Sequence, residues 1–510
     1  MKKILKKYLI LFLTTFLLVS IYVFSVNAQG VISPEKDTAY QAVERNASEV
    51  GKIGDAIFNF AELGMQEFES NDLCARLLEE WGFKVEKGIS GFPTALMATY
   101  GSGKPVIALH FEFDALPGTS QQAGVIERKP VVEGAPGHAE GHNTNAAVVM
   151  GAAFGIKEAI EKYNLKGTIK VFTAPAEEKG IPRPYFVRDG YFKDVDAAFH
   201  AHVGNDLSTS YGERQYAVIT SDFLFYGKTA HAAVAPWTGV SAVDAAKLMD
   251  LGWDVLREHL PTTQRSHSVF TEGGIQPNVV PDFARISWIF RESNYEKVYD
   301  LHEKAKKVAE GAALMTGCTW EEEVVSAIWP TRDNQTIAEV VQANIELVGV
   351  PQWTEEEQKF AKEVQRSVGA KETGLTTKIT PLAEAKQSTS ANDSGDITWM
   401  VPHGRITFPA NVSGIPGHHW AAAIVPATSI AHKAEVAGAK VLAGAVVDLL
   451  TQPAILEKAK ETFKKEVGET KHQTLLPLDQ KPPIQYNVEM MAKYRELMKP
   501  YYLKETIQFK

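Results

Sequence analysis

The stretch Gly137-His138-Ala139-Glu140-Gly141-His142-Asn143 sets three ligand-capable side chains among small residues that let the backbone turn tightly. An Ala-rich apolar run from Ala146 to Tyr163 follows directly and has the length of a helix. Next comes a β-branched run, Gly167–Ala174, ending at Glu177-Glu178, and then Asp196–His202, ending in His200-Ala201-His202. Upstream, Thr94–Tyr100 and Val106–Phe113 also read as strands, the second leading into Glu112-Phe113-Asp114. Strands alternating with helices, with polar chemistry at the strand ends, indicate an α/β sheet whose site lies at the carboxyl edge.

Working outward, residues from about Ser33 to Phe60 and from Asn71 to Trp81 carry apolar positions at helical spacing. After Gly212 the rhythm changes. A strand (Tyr216–Tyr226), a helix (Ser241–His259), strands near His267–Glu272 and Ala284–Phe290, a helix (Tyr295–Met315) and a strand (Thr319–Ile328) follow. This β-α-β-β-α-β order is that of a ferredoxin-like unit. It reads as an insertion at 212–332 that splits a catalytic domain into 29–211 and 333–452, with a tail at 453–510. The helix Gln335–Leu347 resumes the first domain and Lys433–Leu450 closes it. The segment from about Gln352 to Ala391 is charged and Thr-rich, shows no clear strand pattern, and reads as an extended or mobile excursion.

At 510 residues the chain is too long for one core. Its net charge of -9 and the lack of a basic stripe beyond the N-terminus argue against a nucleic-acid partner. Lys2, Lys3, Lys6 and Lys7 precede an apolar run to about Val26, which ends in the small-residue pattern Val26-Asn27-Ala28. Residues 1–28 therefore read as a signal peptide, which would make the protein exported, periplasmic or extracellular; an uncleaved leader would anchor it to a membrane instead. The two cysteines, Cys74 and Cys318, read as buried free thiols in different domains.

A site for two divalent metals needs five or six N/O ligands, a position for water and a general base. With Gly417-His418-His419 added, the chain supplies Glu140, His142, Glu177, Glu178, His202 and His418. Adjacent carboxylates at a strand end diverge, so one of Glu177 and Glu178 can bind metal while the other faces the attacking water.

The ordered set Glu112–Gly118, Gly137–Asn143, Pro175–Glu178, Asp196–His202, Gly227–Ala233 and Pro277–Asp282 resembles the dinuclear-metal aminoacylase, dipeptidase and amidohydrolase family of metallopeptidases. Within that family the chain resembles the aminobenzoyl-glutamate hydrolases and their amidohydrolase relatives. The likeness runs from Phe58 to His432. It implies a zinc-peptidase-like catalytic domain, an inserted lid or dimerisation domain, and two metal ions, Zn or Mn. It implies Glu177 as general base and Glu178, His142, His202 and His418 as metal ligands. It also implies that His231 reaches across a homodimer to the scissile carbonyl, while Asn278 and Arg291 grip substrate. From its own surroundings His231 is only a histidine in a Gly/Ala-rich bend. His138, His200 and His419 read as supporting or packed histidines. In one respect the chain departs from the family: Glu140 stands where the amidohydrolase branch usually carries a cysteine. A carboxylate there hardens the donor set, and Glu140 can ligate, bridge two ions, or be too long and weaken one site.

The expected function is hydrolysis of an amide or peptide bond in an N-acyl amino acid or aminobenzoyl-glutamate-like substrate, by a metal-activated water with Glu177 as general base. The alternatives are a dipeptidase or exopeptidase acting on periplasmic peptides, and a non-catalytic carboxylate-binding protein with a decayed metal site.

Overall fold

A computed structural model describes residues 32–510; the leader assigned to residues 1–28 lies outside them. The catalytic domain is built on six strands in the order Lys84–Lys87, Leu96–Ser102, Gly167–Thr173, Val106–Phe111, Ala197–Val203 and His403–Phe408. The last four run parallel and the first two antiparallel. Val106–Phe111 and Ala197–Val203 are buried at every position, which is why they read as unbroken apolar runs rather than alternating ones.

Pro34–Arg45, Ala47–Phe60, His142–Tyr163 and Ser429–Thr451 pack together on one face of this sheet. The last two approach closely because both are rich in Gly and Ala. A Cβ added at Gly151 would lie 3.0 Å from a Val50 methyl and 3.2 Å from the Ala439 Cβ. The helix expected over Ser33–Phe60 is two helices, interrupted at Asn46. The Asn46 side chain explains the break: it donates to the carbonyls of Ala42 (2.8 Å) and Lys510 (2.9 Å) and accepts from the Lys510 N–H (2.7 Å). The chain's last residue is stitched to its first helices there.

Inside Ser429–Thr451, Glu435 is fully buried and neither carboxylate oxygen has a partner among the described residues. Burial, with the nearby Asp55 charge, holds its carboxyl well above the usual range. Folding must therefore keep a proton that the unfolded chain gives up above its ordinary carboxylate pKa. Stability falls as pH rises from there, by about 1.4 kcal/mol per unit while only the unfolded state is ionised. Glu435→Met is expected to stabilise the protein at pH 8 and to lose that advantage near pH 4, measured by urea unfolding at both. An equal effect at both pH values would mean that Glu435 is ionised in the fold.

The inserted domain is a four-stranded antiparallel sheet in the order Thr319–Ile328, Ala217–Tyr226, Phe283–Glu292, Arg265–Glu272. Its helices, Ala242–Arg257 and Tyr295–Thr316, pair on one face over Trp253, Trp288 and Phe290. Strand and helix order are those of a ferredoxin-like unit, so the chain is α/β with an inserted domain of this type. Phe283–Glu292 shows how the two faces divide. Ala284, Ile286, Trp288 and Phe290 are buried under the helices, while Arg285, Ser287, Ile289 and Arg291 line a cleft against the catalytic domain.

The expected extended excursion over 352–391 is corrected. It contains the helix Glu355–Ser367, capped by Thr354 and Glu357 in a reciprocal box. Ala361 and Val364 bury against Ile424, Val425 and Ile430. So few apolar positions among Glu and Lys leave a weak periodic signal, but the Thr-x-x-Glu box was there to be read. Both cysteines are free, as expected; Cys74 is buried, but Cys318, expected to be buried too, is only half-buried.

Candidate metal centre

Each candidate ligand is delivered by a carboxyl end of the parallel strands. Val106–Phe111 leads to Glu112 and Asp114. Gly141, at φ +99°, makes the turn that starts the helix at His142; a Cβ there would press on Val203 and Pro426. Gly167–Thr173 leads through Ala176, at φ +57°, into a single tight turn carrying Glu177 and Glu178. His202 is the penultimate residue of its strand, and His418, at φ +56°, sits in the loop after His403–Phe408. Two non-glycine residues in the left-handed region beside the same site are strain that surrounding contacts must hold.

The side chains converge. His142 Nδ1 lies 2.9 Å from Asp114 Oδ1, and its Nε2 lies 3.9 Å from Glu177 Oε2. Asp114 Oδ2 also accepts from the Glu178 N–H at 3.0 Å, so one carboxylate fixes two neighbouring groups. His418 Nε2 is 3.3 Å from Glu178 Oε2 and 3.6 Å from Glu140 Oε2. Glu140 therefore reaches the cluster despite its length. Ligand atoms of Glu140, Glu178 and His418 lie within 4.8 Å of one another, as do those of His142, Glu177 and Glu178. His202 donates through Nδ1 to the Val203 carbonyl (2.8 Å), which leaves the Nε2 lone pair for a metal. Burial holds His202 well below its usual pKa, neutral as a ligand must be.

These residues fit two divalent ions. His142 Nε2 and Glu178 Oε1 are buried with no partner among the described residues, which is costly unless a cation completes them. Burial, with Asp114 and Glu140 adding like charge, pushes the Glu178 carboxyl up to about 8. Burial and the Glu112 charge raise Glu177 well above the carboxylate range. Burial opposes protonation of His142, but the Asp114 carboxylate outweighs it and lifts that pKa. So much convergent negative charge is relieved by bound cations, and the N/O donors suit Zn²⁺ or Mn²⁺. Glu112 also comes within 4.8 Å of the His142 and His202 ligand atoms, but it is engaged from behind. Both of its oxygens lie 2.9 Å from His200 Nε2 and it is paired with Arg183, so it backs the site.

The family model for peptidase family M20/M25/M40 matches residues 108–474. This chain is an M20-family peptidase. It is 33% identical over 447 residues to a p-aminobenzoyl-glutamate hydrolase chain of Escherichia coli (strain K12), covering 82% of this chain and 93% of that one. It is 26% identical over 450 residues to the Xaa-Arg dipeptidase of Mus musculus, covering 85% and 93%. The fold matches that of a dinuclear metal-binding M20 peptidase from Bacillus subtilis, with a TM-score of 0.51 at 20% identity over 80% of this chain and 99% of that one. The M20 chain is thus a metal-dependent hydrolytic enzyme, and the non-catalytic binder is set aside.

The M20 site also holds groups that the sequence did not single out. Asn392 donates to Glu177 Oε1 at 2.5 Å and so orients it. Arg405, buried on the strand beside His202, lines the cleft; burial, with the Arg214 charge, pushes it down to about 9. Arg183 joins Glu112 to Asp393 in a fully buried network. Among the histidines thought to be supporting, His138 bonds the Ile57 carbonyl (3.0 Å) and His419 caps the Ala421 N–H (3.3 Å). Arg291 lines the cleft, its guanidinium 3.4 Å from the Thr389 carbonyl. His231 and Asn278 do not line it in the single chain. They sit together in an exposed loop, His231 bridged to Val279 and accepting from Ala233 and Val234 at 3.2 Å.

Asp114→Ala should lower metal affinity about 10–100-fold by freeing the His142 ring and the Glu178 turn together. Competition with a chromogenic chelator measures it. Unchanged affinity in a folded variant would make Asp114 a passive buttress.

Proposed function

We propose that this enzyme is exported and homodimeric, and that it cleaves an amide bond beside a free carboxylate in an N-acyl amino acid or aminobenzoyl-glutamate-like substrate. The observation that carries this reading is the cleft of about 1220 Å³. It joins Glu177 and the ligand cluster on one wall to Arg265, Arg291 and Arg405 on the others. The name of the Escherichia coli relative, 33% identical, supports the same class.

When bound, divalent ions make a water nucleophilic near neutral pH and polarise the scissile carbonyl. Glu177, held by Asn392, takes the proton of the attacking water and returns it to the leaving amine. The arginines neutralise the substrate carboxylate in a partly water-excluded cleft. His231, from the partner of a dimer, would stabilise the oxyanion. An exposed edge strand, Arg265–Glu272, with Val269 and Phe270 exposed on its opposite faces, is consistent with pairing between copies. A dipeptidase reading is favoured by the likeness to the mouse Xaa-Arg dipeptidase.

A screen of N-acyl amino acids and dipeptides against the metal-loaded enzyme tests these readings. Turnover of N-aroyl glutamates above dipeptides supports the first and the reverse order the second; no amide turnover removes both. Light scattering reads the dimer. Export is supported by the leader pattern, and N-terminal sequencing of the mature protein should begin at Gln29. An intact leader on cytoplasmic protein counts against export.

A further inference from the structure

The family model ends at residue 474, yet Tyr486 and Asn487, beyond it, line the metal cleft. We infer that the C-terminal segment is a wall of the substrate site, with Tyr486 and Asn487 receiving an aromatic acyl group. This rests on the amide-hydrolysis reading above and adds which acyl groups the site prefers.

The segment is anchored on both sides of this pair. Before it, His472 Nε2 lies 2.7 Å from Asp396 Oδ1, and Arg188 donates to the carbonyls of Pro477 (3.2 Å) and Gln480 (2.7 Å). After it, Arg495 pairs with buried Glu62 and donates to the Gln66 carbonyl at 2.7 Å. The pair itself is docked on the chemistry. Gln66 Nε2 donates to the Tyr486 carbonyl (3.1 Å), and the Asn487 amide donates to the Gly64 carbonyl (2.9 Å). Gly64 is pressed on Ala176 so closely that a Cβ would lie 2.7 Å from the Ala176 Cβ. Ala176 is the left-handed residue immediately before Glu177 and Glu178. Asn487 is itself left-handed, at φ +63°, a conformation Asn tolerates better than most residues. The tail thus reaches the catalytic turn through one glycine.

Charge along the cleft separates its two ends. Arg265 and Arg291 are cross-strand partners and form a cationic end. Arg285, six residues back from Arg291 and about 20 Å away along an extended strand, is outnumbered by the carboxylates of Asp222 and Glu272, each at 3.5 Å, so it offers this end no free cation. Tyr486, which lines the cleft, belongs with this end: the Asp222, Arg285 and Glu323 charges all bear on its phenol. A carboxylate is drawn to the cationic end. A phenol ring and an amide away from the cationic end suit a planar aromatic group that carries no carboxylate.

The test uses the full-length, metal-loaded enzyme with N-benzoylglutamate and N-acetylglutamate. In Tyr486→Ala the benzoyl-to-acetyl ratio of kcat/KM should fall about tenfold, mainly through the benzoyl KM, and Tyr486→Phe should restore most of it. Thermal unfolding checks that both variants fold. If Tyr486→Ala does not fold, hydrogen exchange in metal-loaded Glu177→Gln supplies the readout: N-benzoylglutamate should protect residues 482–488 more than N-acetylglutamate does. An unchanged ratio, equal losses on both substrates, or equal protection overturns the inference while leaving the amide-hydrolysis reading intact. A wild-type enzyme that cleaves neither amide overturns both.

Discussion

Glu177→Gln is expected to lower kcat by about 10³-fold while metal content stays at its wild-type level. The substitution keeps the shape of the side chain and its contact with Asn392, and removes only the ability to take and return a proton. Glu178, not Glu177, lies within reach of both His418 and the Asp114-supported turn, so ligation should survive. Single-turnover kinetics with elemental analysis of the same sample measures both quantities. Activity within tenfold of wild type would move the proton transfer elsewhere, with Glu178 the first candidate. A matching loss of metal would instead make Glu177 a ligand, and the short separation from His142 Nε2 makes that a real contest.

What could be read from the chain alone follows a physical division. Strand ends announce themselves, because an apolar run must stop where the polar groups begin, and each of Glu177, Glu178 and His202 stands at such a stop. His142 is marked by Gly141, whose left-handed turn starts a long helix. Asp114 also follows a buried strand, but Asp before Ala-Leu-Pro is equally the start of a surface turn. Only its bonds to His142 and the Glu178 N–H give it a role. Nothing local marks Asn392 and Asp393: the partners that define them lie 215 and 210 positions away. His231 and Asn278 are implied by the family resemblance alone, and in the single chain they lie away from the cleft. The tail carried no signal for Tyr486, since a tyrosine in a Pro-rich connection acquires meaning only from what it is folded against.

The Arg183 network carries the largest expected effect on stability. Arg183 is fully buried, pairs with both Glu112 and Asp393, and its own N–H reaches Asp393 Oδ2 at 3.1 Å. Burial raises the Asp393 carboxyl to about 6 even with this partner present, and burial works against ionised Glu112 as well, where His200 and Arg183 overcome it. Arg183→Met would keep much of the apolar stem and leave two carboxylates without their cation. The expected cost is about 3–5 kcal/mol, the range for breaking one side of a buried ion pair. Urea unfolding of the metal-free protein measures it without the stabilisation that metal binding would add. The network makes a sharper demand on the double variant. Glu112→Gln alone should destabilise, because it strands part of the Arg183 charge. In the Arg183→Met background the same change removes an unpaired charge and should restore stability. That reversal of sign is what an ion-pair network requires and independent packing effects do not give. Additive losses in the double variant would show that Arg183 acts by filling space. The ordered strand ends beneath His200 and His202 would then owe nothing to its charge.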